Sequence, residues 1–346
     1  MSTYRTHSEL IEAALRRSNV TPDERVVLLS SRIIPHDDLA PYEEAVRRVS
    51  NNMISVRYYP MEVTDVHHMN AMLRSCVAGA DFVLHYRGGN FPTPFAQLTA
   101  HSGGIPETMA TQTRWLDICL NEANQFRLYP SDQIVAETLA AAELMERTNE
   151  LHLTSDAGTD LVLRKDGRKG HRQLGVANEP GIWDNFGFAM VACAPLEDSA
   201  NGVVMVQPGD ALLQMGAVVR DPVSLQIENG TIVKVEGGES ARAINEWLGR
   251  WNDPESYGVS HIGWGLHPDA VWTGSPRFTP VDGESYRGSI LIAFGSNTTN
   301  MPARHSGIGG TRHCASHLDV PLLAHSFAVD GVTVVDNGTI VDRSTH

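Results

Sequence analysis

Hydrophobic positions in the first 150 residues follow two alternating spacings. Segments 8–18 and 131–149 place apolar residues on one side of a helix, whereas 25–30 and 80–85 are short apolar runs typical of buried strands. This alternation predicts a parallel sheet covered by helices, a Rossmann-like α/β domain over residues 1–150. The other elements predicted in this half are helices at 41–49, 66–77 and 95–100 and strands at 53–58 and 114–119.

The spacing changes after about residue 150. Residues 224–235 and 332–341 each read as two strands joined by an Asn-Gly turn, which is a strong hairpin signal. One helical segment, 239–250, lies between the two hairpins. The pattern predicts a second, mostly antiparallel α+β domain over residues 151–346. Further short strands are predicted at 151–154 and 160–164.

Charge and composition exclude several classes of partner. The 346 residues include 27 basic and 41 acidic side chains, a net charge of -14, which disfavours nucleic-acid backbones and anionic membranes as main partners. The N-terminus has no apolar signal segment, and no apolar run approaches the roughly 18 residues of a spanning helix. Four widely spaced cysteines indicate reduced thiols. We therefore expect a cytoplasmic protein without nucleic-acid or membrane partners.

Histidines concentrate near the C-terminus, where four of the chain's 15 lie within 305–325. His317 and Asp319 are two residues apart, so in a strand both side chains point to the same face. An imidazole beside a carboxylate is the core of many iron and zinc sites. The alternative is a half-buried strand whose polar face meets solvent while Leu318 and Val320 point inward. The pair predicts a metal-binding or catalytic role for the second domain.

A third candidate ligand is His267. Gly263 and Gly265 precede it and Pro268 follows it, a composition that favours a loop able to deliver an imidazole to a site built elsewhere. The alternative is an ordinary surface histidine. Together with the His-x-Asp pair, His267 would complete two histidines and one carboxylate, the facial triad that leaves positions open on Fe2+.

Two further segments carry candidate polar groups. His305 and His313 flank a glycine-rich stretch, which permits close backbone approach to a ligand but is equally typical of a mobile surface loop. Glu179 and Asp184 surround a rigid Pro-Gly turn, and the alternative for both is an exposed turn with solvated acids.

Four of these segments together resemble a known family. In chain order they match landmarks of the 2,5-dihydroxypyridine 5,6-dioxygenase branch of the thermophilic metallo-aminopeptidase fold family. The resemblance spans most of the chain through short motifs, of which the His-x-Asp followed by an aliphatic-Pro pair is the most specific. The matching segments are 178–184, 262–270, 288–295 and 314–322.

The resemblance weighs against a peptidase. The aminopeptidases hold two metals through two glutamates, a histidine in the strand matching 288–295, and the terminal His-x-Asp. Leu291 replaces that strand histidine here, and His267 stands where these enzymes have an asparagine. A dinuclear site is therefore hard to assemble from this chain.

The dioxygenase branch implies a single iron. Its ligands would match His267 and Asp319, and its third ligand is a serine whose position falls on Ala293. Alanine offers no donor atom, and Ser296 is the nearest hydroxyl, so the third ligand is open and His305 or His317 could supply it.

The implied reaction inserts both atoms of O2 into a hydroxylated N-heteroaromatic ring such as 2,5-dihydroxypyridine, giving N-formylmaleamate. His317 or His305 would act as the base that takes the hydroxyl proton, while Glu179 and Asp184 would anchor polar substituents. The resemblance also implies a homo-oligomer. Two alternatives stay open: a Zn2+-dependent hydrolase of the aminopeptidase or amidohydrolase type, and a metal-free binding protein that keeps only the fold.

Overall fold

A computed structural model of the chain describes residues 4–58, 71–88, 112–274, 280–298 and 307–341. These residues form two compact units. The first unit comprises the described residues of Met1–Val135, Gln173–Phe188 and Asn300–Gly307, and the second those of Ala136–Arg172, Ala189–Thr299 and Ile308–His346. The first unit thus includes residues beyond the boundary predicted at residue 150.

The first unit is built on a five-stranded parallel sheet, as predicted. Its strands, in spatial order, are Asn52–Tyr58, Arg25–Ser31, Phe82–Tyr86, Arg114–Ile118 and Trp183–Asn185. The three central strands are buried almost throughout, which explains their continuous apolar runs. The α-helices up to residue 147 are His7–Arg17, Ala40–Val49, Ala71–Ala78, Glu122–Arg127 and Asp132–Arg147, and a 3-10 turn spans Asp37–Leu39. The helix predicted at 95–100 and the start of the one predicted at 66–77 lie outside the described residues.

The fifth strand, Trp183–Asn185, lies in a segment for which an exposed turn was considered. It is buried because Trp183 packs into the core and its indole N–H donates to Asp117 at 3.0 Å. The same carboxylate accepts hydrogen bonds from the Trp115 indole at 2.9 Å and from His85 Nδ1 at 2.7 Å. Burial alone would raise the pKa of Asp117, but His85 and these donors lower it to about 2.

The second unit contains a large antiparallel sheet of eight strands. Both predicted hairpins are confirmed, with Asn229 and Asn337 at φ 49° and 44° and the following glycines also at positive φ. In spatial order the strands are Thr231–Gly237, Val223–Glu228, Asn201–Val206, Asp160–Arg164, Glu150–Thr154, Ser326–Val329, Val332–Asp336 and Thr339–Ile340.

A second sheet, here named the histidine sheet, carries the candidate chemistry. Its strands, in spatial order, are His317–Leu322, Ile290–Gly295, Val259–Gly265, Met190–Cys193 and His171–Gln173. Every residue in these five strands is buried. The remaining elements are the two-stranded hairpin Ala211–Leu212 and Ala217–Val218, the helices Glu239–Gly249 and Pro280–Ser285, and the 3-10 turns Leu213–Met215 and Pro254–Tyr257. Within the described ranges, no helix is both long and apolar enough to cross a membrane.

Candidate metal centre

Three buried side chains of the histidine sheet converge on one point. Nε2 of His261 lies 3.3 Å from Nε2 of His317 and 3.2 Å from Oδ1 of Asp319. Nε2 of His317 lies 3.1 Å from the same oxygen. Among the described residues, these three form the group of histidine, cysteine or acidic side chains whose ligand atoms approach closely enough to share a metal ion.

The pairing of the strands explains this convergence. His261 and Asp319 both pair with Ala293, which lies on the strand between them. Neighbouring strands are about 4.8 Å apart, so two side chains two strands apart must both reach over the residue in the middle. The methyl group of Ala293 leaves that space open. His317 joins them because it is two residues before Asp319 on the same face, as predicted.

Hydrogen bonds orient two of the three groups. Nδ1 of His317 lies 2.9 Å from the backbone carbonyl of Ser296, which can only accept, so Nδ1 carries the proton and Nε2 presents its lone pair. Oδ2 of Asp319 accepts a hydrogen bond from Nε2 of Gln214, which leaves Oδ1 facing the two imidazoles.

The protonation of the group suits a cation. Burial lowers the pKa of His261, which favours the neutral imidazole. Burial would raise the pKa of Asp319, but the neighbouring His317 and His261 hold it well below its ordinary value, which favours the carboxylate. Neutral imidazoles and ionised carboxylates are the forms that bind metals.

The spacing of the three atoms also fits a metal ion. For atoms 3.1 to 3.3 Å apart, the point equidistant from all three is about 1.9 Å from each, close to the roughly 2.0–2.2 Å of metal–nitrogen and metal–oxygen bonds. Two imidazoles and one carboxylate are the donor set of mononuclear Fe2+ oxygenases, and the same donor types bind Zn2+.

Residues 261–265 of the predicted loop are a strand, so this part of the prediction was wrong, whereas 266–268 lie beyond the end of that strand. Val259–Gly265 is buried along its whole length and pairs with strands on both sides. Gly263 is needed for close packing rather than flexibility, since a Cβ there would lie 1.8 Å from the carbonyl oxygen of Val191. The local signal for His261 was its alternation with Val259 and Gly263 on one face of an apolar strand.

His267, the predicted ligand, is not among the three converging residues. It is fully buried at the end of the same segment, where its backbone N–H donates to Ser285 at 2.8 Å. Its Nδ1 accepts a hydrogen bond from the backbone N–H of Asp269 at 3.2 Å. His261, six residues towards the N-terminus, is the histidine that meets His317 and Asp319, and the ligand role of His267 stays a prediction.

The other predicted residues are not members of the cluster or lie outside the described residues. Asp184 is buried in the strand Trp183–Asn185, and its carboxylate accepts the backbone N–H groups of Leu174 at 2.9 Å and Gly175 at 3.1 Å. Glu179 is half-buried and its carbonyl accepts a turn hydrogen bond. Neither belongs to the converging group, so their substrate-anchoring role stays a prediction. His313 is exposed, and His305 lies outside the described residues.

One acidic residue near the cluster was not singled out from the sequence. Glu284 lies on the helix Pro280–Ser285, and burial raises its pKa well above the ordinary value, with the charge of Asp319 adding to the shift. The residue is half-buried by its exposed surface. The raised pKa favours the protonated form of its carboxyl group.

Comparisons with known proteins identify the family of the chain. The family described as 2,5-dihydroxypyridine 5,6-dioxygenase (NicX) matches residues 6–342. The 2,5-dihydroxypyridine 5,6-dioxygenase of Pseudomonas putida strain KT2440 is 29% identical over 350 residues, covering 96% of this chain and 95% of the relative.

Two solved structures are also similar. The 2,5-dihydroxypyridine dioxygenase from Pseudomonas putida KT2440 superposes with a TM-score of 0.83 at 27% identity, covering 98% of this chain and 97% of that one. AmpT from Thermus thermophilus superposes with a TM-score of 0.67 at 16% identity, covering 97% and 99%, which shows the shared fold alone. The resemblance stated from the sequence motifs is confirmed, and the chain belongs to the 2,5-dihydroxypyridine 5,6-dioxygenase family.

Proposed function

We propose that this protein is a mononuclear non-heme Fe2+ dioxygenase that opens a hydroxylated N-heteroaromatic ring such as 2,5-dihydroxypyridine. His261, His317 and Asp319 would hold the metal. The observation that carries the proposal is the convergence of their three donor atoms within 3.3 Å of one another. Membership of the dioxygenase family supports the choice of reaction.

His261, His317 and Asp319 would leave coordination positions open on Fe2+, which would supply the redox chemistry that ring cleavage by O2 requires. The contribution of the chain is to keep the donors oriented. The carbonyl of Ser296 fixes the proton of His317 on Nδ1, so the lone pair of Nε2 would be available to a metal ion, and we propose the ligand role over the base role because Nε2 points at the other two donors. Burial raises the pKa of Glu284, so its carboxyl group would be protonated and would offer a hydrogen bond to an oxygen of the substrate.

The proposed product is N-formylmaleamate. Both atoms of O2 enter the product as the bond between ring carbons 5 and 6 breaks, so the reaction consumes no external reductant. That His305 is the base that takes the hydroxyl proton stays a prediction. The proposed partners are therefore the small aromatic substrate and O2, and we keep the homo-oligomer as a proposal that light scattering would test.

The test uses metal-free full-length protein reconstituted anaerobically with Fe2+ or with Zn2+. After mixing with 2,5-dihydroxypyridine in air, the Fe2+ form should remove the substrate absorbance and take up one O2 per ring. His261→Asn should abolish both signals. An Fe2+-loaded protein that leaves absorbance and O2 unchanged would refute the dioxygenase, and peptide or amide cleavage by the Zn2+ form would establish the hydrolase alternative instead.

A further inference from the structure

The side chain of Gln214 contacts Asp319 at two points. Its Nε2 donates to Oδ2 of the carboxylate, and its Oε1 accepts the backbone N–H of Asp319 at 2.6 Å. We propose that Gln214 is a positioning residue that makes Asp319 a metal ligand through Oδ1 alone. The inference rests on the metal site proposed above and adds a residue that determines how that site is shaped.

The two oxygens of Asp319 have separate partners. Oδ1 lies 3.2 Å from Nε2 of His261 and 3.1 Å from Nε2 of His317, whereas Oδ2 is occupied by the amide of Gln214. A carboxylate can bind a metal through one oxygen or through both, and the second mode uses an additional coordination position. By occupying Oδ2, Gln214 keeps that position available for substrate or O2.

Gln214 is itself held in a tight turn. It lies in the 3-10 turn Leu213–Met215 at the tip of the hairpin formed by Ala211–Leu212 and Ala217–Val218. Gly216 ends the turn at φ 59°, a left-handed conformation suited to glycine, and its N–H donates to the carbonyl of Leu213 at 3.0 Å. The amide is therefore presented by a short, closed element rather than by a long loop.

A second contact fastens the same hairpin to the same strand. Oδ1 of Asp210 accepts the backbone N–H of Leu323 at 2.8 Å, and Oδ2 accepts the N–H of Gln207 at 2.7 Å. Asp210 lies four residues before Gln214, and Asp319 lies four residues before Leu323. Two anchors with equal spacing hold the hairpin alongside the strand that carries Asp319, so the amide of Gln214 cannot drift away from Oδ2 without breaking the second anchor.

The test compares Gln214→Met and Gln214→Asn with the matched control Gln226→Met. Methionine keeps the approximate size of the side chain without its hydrogen bonds, and asparagine keeps the amide on a chain too short to make both. Gln226 donates to Glu228 at 2.8 Å in a hairpin strand of the large sheet. Metal-free full-length proteins are titrated with Co2+, whose visible absorption reports coordination number, and heat unfolding is recorded for each.

We expect both Gln214 variants to bind Co2+ 10- to 100-fold more weakly, as is typical when an outer-shell partner of a ligand is removed. Their Co2+ absorption should weaken as Asp319 binds through both oxygens, while Gln226→Met matches the wild type. Unchanged Co2+ affinity and spectrum in a folded Gln214 variant would overturn the positioning role, even if that variant unfolds at a lower temperature. If wild type and His261→Asn bind Co2+ equally, the metal site itself is wrong and the inference falls with it.

Discussion

Exchanging one imidazole of the proposed centre for asparagine should separate a ligand from a nearby buried histidine. His261→Asn removes a donor whose Nε2 lies 3.2 Å from Oδ1 of Asp319, and the shorter side chain cannot reach the same point. His267→Asn is the matched control, because asparagine retains an acceptor for the backbone N–H that Nδ1 of His267 now binds at 3.2 Å. Both histidines are buried, so loss of packing affects the two variants alike.

The expected magnitude follows from the number of donors. Complete four-ligand zinc sites bind with about 10–16 kcal/mol at neutral pH, or about 3 kcal/mol per ligand. Removing one of three ligands should therefore weaken metal affinity by at least about 100-fold, since about 1.4 kcal/mol corresponds to a factor of ten. His267→Asn should change the affinity by less than about threefold, within a few tenths of a kcal/mol.

The assay is equilibrium titration of metal-free protein with Fe2+ under anaerobic conditions, checked with Co2+. Circular dichroism before titration shows whether each variant is folded. Wild-type affinity in folded His261→Asn would refute the assignment of this residue. A loss in His267→Asn as large as that in His261→Asn would show that the position predicted from the sequence is also a ligand.

Three further predictions concern stability. Asp117→Asn must leave at least one indole or imidazole N–H unmatched, so urea unfolding should show a loss of about 3 kcal/mol. Because the folded pKa of Asp117 is about 2, its stabilisation is present above the unfolded value and is lost as pH falls through 2, so the deficit should shrink in acid. Burial raises the pKa of Asp210 to about 7, so the contribution of this carboxyl group to folding stability is lost as pH rises through 7. The free energy of unfolding of Asp210→Asn should therefore gain about 3 kcal/mol relative to wild type between pH 5 and pH 8. A difference in melting temperature that stays constant over this range would contradict the prediction. Gly263→Ala should lower the free energy of unfolding in urea by about 3 kcal/mol or more. The control Gly79→Ala should lower it by less than about 1 kcal/mol, because the added methyl group meets only ordinary contacts. Equal urea midpoints for the two variants would contradict the close packing at Gly263.

Local signals predicted much of the fold. The two Asn-Gly hairpins follow from turn chemistry, and the helix His7–Arg17 follows from the apolar face predicted at 8–18. The structure adds a reciprocal capping box between Thr6 and Glu9 at the start of this helix. The His-x-Asp pair was equally accessible because it depends only on the two-residue period of a strand. These features need no knowledge of which strands are neighbours.

The rest of the site depends on long-range pairing that a single sequence does not encode visibly. His261 meets His317 across 56 positions, and Gln214 meets Asp319 across 105. The glycines around His261 have the composition of a loop, yet Gly263 serves the close approach of a neighbouring strand. A flexible segment and a tightly packed one therefore look alike when only composition is available, which is why a loop was predicted where the strand Val259–Gly265 lies.

The close approach of Gly263 to Val191 affects how accurately the two strands align during folding. Only a residue without a Cβ fits against Val191 there, so the strand Val259–Gly265 can be inserted in one alignment and resists a slip by one residue. Such a slip would turn His261 to the opposite face of the sheet, away from Asp319. Gly263 has no chemical function of its own, but its lack of a side chain fixes the strand alignment that places the imidazole of His261, two residues away.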